Sequence, residues 1–371
     1  MRVPFFDLVS ASGRPAPDSP PVSGTSPAPR GADGADRDRL IDALRGASAM
    51  AVVFHHLNAT VPRDLIPAAH AWGLLTAFGY LGVPVFFVLS GFCIGQSWRK
   101  SSGPASFFRR RFWRIYPAYL ASLVLTLGVI FAWTRLQGLN DIIALPVTPA
   151  HIVATLSLCT DPATSFTTVN WVYWSLTNEV FYYAVTGALL FWPGGRGRGW
   201  ALVGLNVGLS VLALTGGDLV GTPLFFVNHW NLFALGLGVC LVAARAPEAP
   251  WFLAVSGGQL LWQIGRGQFG LYEWVGWGTL VVLLLPRGRL APGPRNPLVF
   301  LGKISYSLYL VHVPVGVFVF MHLVLPWVGV SSFRFVVTQF AGTVLVIAAA
   351  AFFWRYFEQP FLVGWRRRPV R

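Results

Sequence analysis

The chain has 371 residues, 54% hydrophobic and only 11% charged, with a mean hydropathy of +0.58. Soluble domains carry about 25% charged residues, so this composition excludes an ordinary water-facing surface and points to a polytopic membrane protein. The net charge of +14 raises nucleic acid as a partner, but the cations sit between apolar segments, where they set topology, and nucleic acid is set aside.

Residues 1–36 read as a disordered cytoplasmic tail, because Arg14 to Asp36 is rich in Pro, Ser, Gly and Ala and buries too little apolar area to fold. It lacks the charged start, apolar middle and cleavage site of a secretory signal. Residues 37–362 read as an all-α transmembrane bundle and 363–371 as a basic cytoplasmic tail. A spanning helix needs about 20 mostly apolar residues. Ten segments qualify as candidates: 40–59, 72–95, 115–133, 170–192, 200–215, 224–243, 250–265, 269–286, 298–321 and 334–355. The seventh and eighth are short, with Arg266 between them, so a re-entrant pair is an open alternative.

The first segment carries Asp42, Arg45, His55 and His56. Charged groups at membrane depth cost roughly 2.5–3.5 kcal/mol on insertion scales and mark function by default. Arg45 and His56 are eleven positions apart, which is three turns plus about 20°, so they share a face about 16 Å apart along the axis. Asp42 lies on that face too, and His55 points about 100° away. Against this stand two plainer readings: Arg45 snorkels to the cytoplasmic end, and His56 is a hydrogen-bonded core imidazole.

In the second segment Ser90-Gly91 is either a packing pair or a nucleophile. The loop from Ser106 to Pro117 interleaves Arg109, Arg110, Arg111 and Arg114 with aromatic residues. It reads as a topology and lipid-headgroup signal or as a phosphate clamp for a nucleotide-bearing donor. The outer connection 134–169 has an apolar stretch, His151 to Cys159, that suits a short helix. The fourth segment holds Trp174, Ser175, Glu179 and Tyr182, with Ser175, Glu179 and Tyr182 at i, i+4 and i+7. The ninth holds Tyr306 and the stripe Ser305, Tyr309 and His312 at the same spacing. Three polar stripes on three helices predict one hydrophilic cavity, although Glu179 in a structural ion pair and His312 as a mere brace are open alternatives. Cys93, Cys159 and Cys240 are far apart and suggest neither a metal site nor a disulfide.

Charge alternation supports ten crossings with both termini cytoplasmic. Sixteen cations follow the even segments, from Arg99 to Arg371, and four (Arg63, Arg135, Arg266 and Arg334) follow the odd ones. Positive charge stays inside.

Six strings in order resemble the acyltransferase-3 family of membrane acyltransferases: Asp42-Ala-Leu-Arg45-Gly with a histidine eleven after the arginine, Gly82-Val-Pro-Val-Phe-Phe-Val-Leu-Ser90-Gly-Phe, Arg110-Arg-Phe-Trp-Arg114-Ile-Tyr-Pro117, Trp174-Ser-Leu-Thr-Asn-Glu179-Val-Phe-Tyr, Ile304-Ser-Tyr-Ser-Leu-Tyr-Leu-Val-His312 and Tyr356-Phe-Glu358-Gln-Pro360. The resemblance implies transfer of an acyl group, often acetyl, from acyl-CoA to a hydroxyl-bearing acceptor such as a glycan or macrolide sugar. It implies membrane lipid as surroundings, no metal, and a location in the bacterial plasma membrane. It maps the family's catalytic arginine–histidine pair onto Arg45 and His56. Glu179 is then the only carboxylate of its motif, since Asn178 stands where members often carry an acid. No fused esterase-like domain is expected, as the chain stops soon after Glu358.

On that basis His56 is expected as general base, Glu179 as the group that orients it, and Arg45 as ligand of donor phosphate or oxyanion. Arg110, Arg111 and Arg114 are expected at the donor. Asp42, Ser90, Trp174, Ser175, Tyr182, Tyr306, Tyr309 and His312 are expected along the cavity. A transporter or flippase of a lipid-linked glycan is the rival reading, and a non-catalytic scaffold a third.

Overall fold

A computed structural model of the chain describes residues 32–59, 71–137, 145–192, 196–217, 219–285, 290–321 and 332–366. No strand occurs among them. The expected tail lies outside the described residues up to position 31, as do the final residues 367–371.

Helix α1 runs Ala32–Ala59, α2 Ala71–Ala77, α3 Gly82–Arg99 and α4 Pro104–Gln137. The short α5, Pro149–Leu156, sits in the long connection between α4 and α6, where the apolar stretch predicts it. Then come α6 Tyr173–Ala188, α7 Arg196–Thr215, α8 Trp230–Ala243, α9 Ala249–Gly265 and α10 Leu271–Leu284. The last part holds α11 Pro297–Lys303, α12 Ser305–Val311, α13 Ser332–Phe353 and α14 Gln359–Arg366. Helix thus covers each of the ten expected segments. Among the described residues, five stretches qualify as membrane spans by length and apolarity alone, or six if α11 and the stretch Ser305–Phe320, bent by 67° to each other, are one. The helices α6, α9 and α10 have 16, 17 and 14 residues, short of the roughly 20 a perpendicular span needs.

Two close helix contacts frame the interior. A side chain on Gly302 would collide with the carbonyl oxygen of Asp42, so α11 lies backbone to backbone against α1. Gly236 does the same for α8 against the carbonyl of Val88 in α3. Small residues allow such approach in membranes, where packing takes over from the hydrophobic effect.

Past α12 the backbone widens into a π-helix over His312–Met321, and α13 likewise ends in a widened turn at Trp354–Glu358. Pro314 lies within the first and Pro360 just after the second. Proline has no N–H to give the i→i−4 ladder, so the chain slips to the wider register there. Both widened turns carry residues of the site described next.

Candidate active site

Helices α1, α3, α6 and α12 line a partly open cavity with ≈ 470 Å³ of space, part of it open to solvent. Arg45 enters it from α1, and Val83, Phe86, Phe87 and Ser90 from α3. Helix α6 contributes Ser175, Leu176 and Glu179, and α12 contributes Ser305, Tyr306 and Tyr309. An apolar wall of phenylalanines therefore faces a set of hydroxyls and two opposite charges. Each of the three stripes sends part of its residues into this space: Arg45, then Ser175 and Glu179, then Ser305 and Tyr309.

Arg45 makes no salt bridge among the described residues, although Asp42, one turn earlier, lies close enough to act on it electrostatically. Glu179 accepts a hydrogen bond from the Tyr183 hydroxyl. Tyr309 donates to the carbonyl of Val172 at 2.6 Å and its oxygen lies 2.7 Å from Ser175 Oγ. With the tyrosine proton used on the carbonyl, Ser175 donates to Tyr309. Ser305 Oγ is buried without a partner, and a buried hydroxyl left unpaired costs about 1–3 kcal/mol. Ser90 shows its side chain to the cavity, while its neighbour Gly91 packs against the backbone of Phe233.

The two histidines lie beyond Tyr309. His56 Nδ1 is 2.9 Å from His312 Nε2, and the ring centroids are 5.0 Å apart. His312 Nδ1 lies 2.7 Å from the carbonyl of Tyr309 and 3.3 Å from that of Leu308. Trp171 stands 6.3 Å from the His56 ring. Glu179, expected to orient His56, has no hydrogen bond to it. Periodicity put the carboxylate on the cavity face, but Tyr183 takes its oxygen and His312 takes the imidazole. His55 points elsewhere, against Tyr80 at 5.7 Å.

The arginine cluster has internal partners. Arg110 donates to the carbonyl of Lys100 and to Ser101 and Ser106. Arg111 donates to the carbonyl of Cys93 and covers the Tyr183 ring at 5.2 Å. Arg114 forms a 2.8 Å ion pair with Glu358, whose second oxygen accepts from Ser307 Oγ at 2.6 Å. The Arg114 guanidinium also covers Tyr306 at 5.6 Å, and the Tyr306 hydroxyl donates to the carbonyl of Ile115. Arg114 therefore ties α4 to α12 and to the end of α13 instead of facing outward as a clamp.

Four residues expected along the cavity, Asp42, Trp174, Tyr182 and His312, are not among those that line it. Tyr182 packs on Phe233 at 4.5 Å and Trp230 at 5.1 Å, with its hydroxyl buried and unpartnered. Trp174 packs edge-on behind Phe87 at 5.9 Å, beside His229. Helix α8 draws both toward itself. Sequence reasoning missed Tyr183, which sits i+4 from Glu179 and was discoverable by that spacing. It also missed the apolar wall of Phe86 and Phe87, which reads as ordinary core. Among the described residues no group of three or more His, Cys, Asp or Glu gathers to hold a metal ion.

The chain matches the model of a family described as an acyltransferase domain over residues 38–355. A relative from Komagataeibacter xylinus whose name describes a membrane-bound transacylase is 28% identical, over 75% of this chain and 73% of its own. Nodulation protein 10 of Rhizobium leguminosarum bv. viciae is 27% identical over 86% and 92% of the two chains. An exopolysaccharide production protein of Rhizobium meliloti is 31% identical over 65% and 71%. No solved structure matches.

Proposed function

The chain belongs to the acyltransferase-3 family, and from that premise we propose a membrane-bound O-acyltransferase that carries an acyl group, acetyl in the simplest case, from acyl-CoA to a hydroxyl of a sugar, glycan or glycosylated metabolite. The observation that carries this reading is the shared cavity. Arg45, Glu179 and the hydroxyls of Ser90, Ser175 and Ser305 line one partly open space beside an imidazole pair.

His56 takes the proton from the acceptor hydroxyl as its oxygen attacks the thioester carbonyl. The tetrahedral adduct then collapses, the C–S bond breaks, and the thiolate leaves with that proton as CoA thiol, giving the ester. Positioned general bases contribute about 10²–10⁴-fold. The Arg45 guanidinium, with no carboxylate in salt-bridge contact among the described residues, binds the oxyanion or a donor phosphate, where one lost donor costs about 10²–10³-fold. Glu179 holds an acceptor hydroxyl, which a carboxylate does by accepting its hydrogen bond. Arg110 and Arg111 bind donor phosphates at the cytoplasmic end, whereas Arg114 is held by Glu358.

If the chain crosses ten times with both ends inside, the donor lies in the cytoplasm near Arg45 and His56 lies toward the outer half, so the acyl group passes from one side to the other along this path. The exopolysaccharide production protein among the relatives favours a glycan acceptor. The test is direct. Purified protein with radiolabelled acetyl-CoA and envelope glycan from a deletion strain should yield labelled, base-labile glycan, and mass spectrometry of the deletion strain should show the missing ester. Glycan esters unchanged in that strain would remove the acceptor assignment.

A further inference from the structure

We propose that His312 is a positioning residue that fixes the tautomer of His56, so that Nε2 of His56 is the nitrogen that receives the proton of the acceptor hydroxyl. The proposal rests on the reading of His56 as the base and adds which of its atoms acts and what holds it.

His312 Nδ1 lies against two carbonyl oxygens, those of Tyr309 at 2.7 Å and Leu308 at 3.3 Å. Carbonyls only accept, so Nδ1 carries the hydrogen. The His312 ring is 1% exposed and has no carboxylate partner among the described residues. Burying an unpaired charge is costly, so the ring is neutral and its Nε2 is a bare lone pair. A lone pair facing His56 Nδ1 at 2.9 Å requires His56 Nδ1 to donate. In a neutral ring His56 Nε2 is then bare as well. Nε2 is free to take a proton, and the chain Tyr309 carbonyl, His312, His56 reads in one direction only.

This is the arrangement in which a second group orients a catalytic imidazole, with a neutral histidine in place of a carboxylate. A carboxylate would stabilise the imidazolium as well as orient the ring. A neutral imidazole orients it and leaves the charged form without a counter-ion, so the proton passes on to the departing thiolate within the same turnover. His312 stands where α12 ends and the wide register begins.

The experiment uses full-length protein in detergent or nanodiscs. His312→Leu removes the acceptor, and kcat for acyl-CoA turnover should fall by about 10²-fold or more toward the His56→Ala level, with KM for acyl-CoA within about twofold. His312→Gln restores an oxygen acceptor for the Nδ1–H and should recover kcat to within about tenfold of wild type. Equal kcat in both variants and wild type would overturn the proposal while leaving the acyltransferase reading intact. A wild type that turns over no acyl-CoA would overturn that reading instead. Ring ¹⁵N NMR of the wild type, with His56→Gln to assign the signal, decides the tautomer even if the leucine variant fails to fold. A protonated Nδ1 and bare Nε2 on His56 support the proposal, and the opposite tautomer sinks it.

Discussion

Arg114 and Glu358 stand 244 positions apart in sequence and meet in an ion pair of 2.8 Å, with Glu358 2% exposed. The carboxylate is fully used, since Ser307 donates to its other oxygen. Breaking a buried pair by removing one partner costs about 3–5 kcal/mol, because the other charge is left uncompensated, while an apolar replacement of both is often neutral. Glu358→Ala should therefore lower the unfolding midpoint in detergent sharply, and Arg114→Met with Glu358→Leu should recover most of it. A donor-phosphate role for Arg114 predicts instead that the double variant keeps its stability and loses affinity for acyl-CoA, which a titration of initial rates would show.

Arg45 is the converse case. With no salt bridge among the described residues and a side chain in the cavity, its guanidinium is available for chemistry. Arg45→Ala should reduce acyl-CoA turnover by about 10²–10³-fold with little change in thermal stability. An equal fall in stability would reassign Arg45 to packing.

Tyr182 separates the structure from the sequence pattern most cleanly. It shares the stripe of Ser175 and Glu179 at i+7, yet its hydroxyl is buried against Trp230 and Phe233 with no partner. Removing an unsatisfied buried hydroxyl relieves about 1–3 kcal/mol. Tyr182→Phe should thus retain activity and raise the unfolding midpoint. Loss of activity in that variant would bring the hydroxyl back into the site.

Gly302 sets the spacing of α11 against α1 at Asp42, one turn before Arg45. Gly302→Ala forces the two backbones apart, and overpacking of this kind costs about 1–3 kcal/mol. Because the displaced turn carries Arg45, turnover should fall further than the loss of folded protein explains. Rates normalised to folded protein, measured by size-exclusion chromatography, check this, and an unchanged specific rate would uncouple the contact from the site.

The helical segments were legible because each is an apolar run, and the cavity was legible because Arg45, Ser175, Glu179, Ser305 and Tyr309 repeat at helical spacing. Periodicity fixes the face of a helix but not its neighbour. It could not show that Glu179 meets Tyr183, that His56 meets His312, or that α8 draws Tyr182 and Trp174 away from the cavity. The arginine run Arg109 to Arg114 looked uniform in sequence. The fold divides it, because Glu358 lies within reach of Arg114 and of no other member among the contacts described.

The central claim is that His56 performs the proton transfer of an acyl transfer reaction. Release of CoA thiol from acetyl-CoA by purified wild type and His56→Ala, at matched folded concentration, tests it most directly. The account predicts a loss of about 10²–10⁴-fold in the variant with its unfolding midpoint retained. Undiminished thiol release by folded His56→Ala would contradict it.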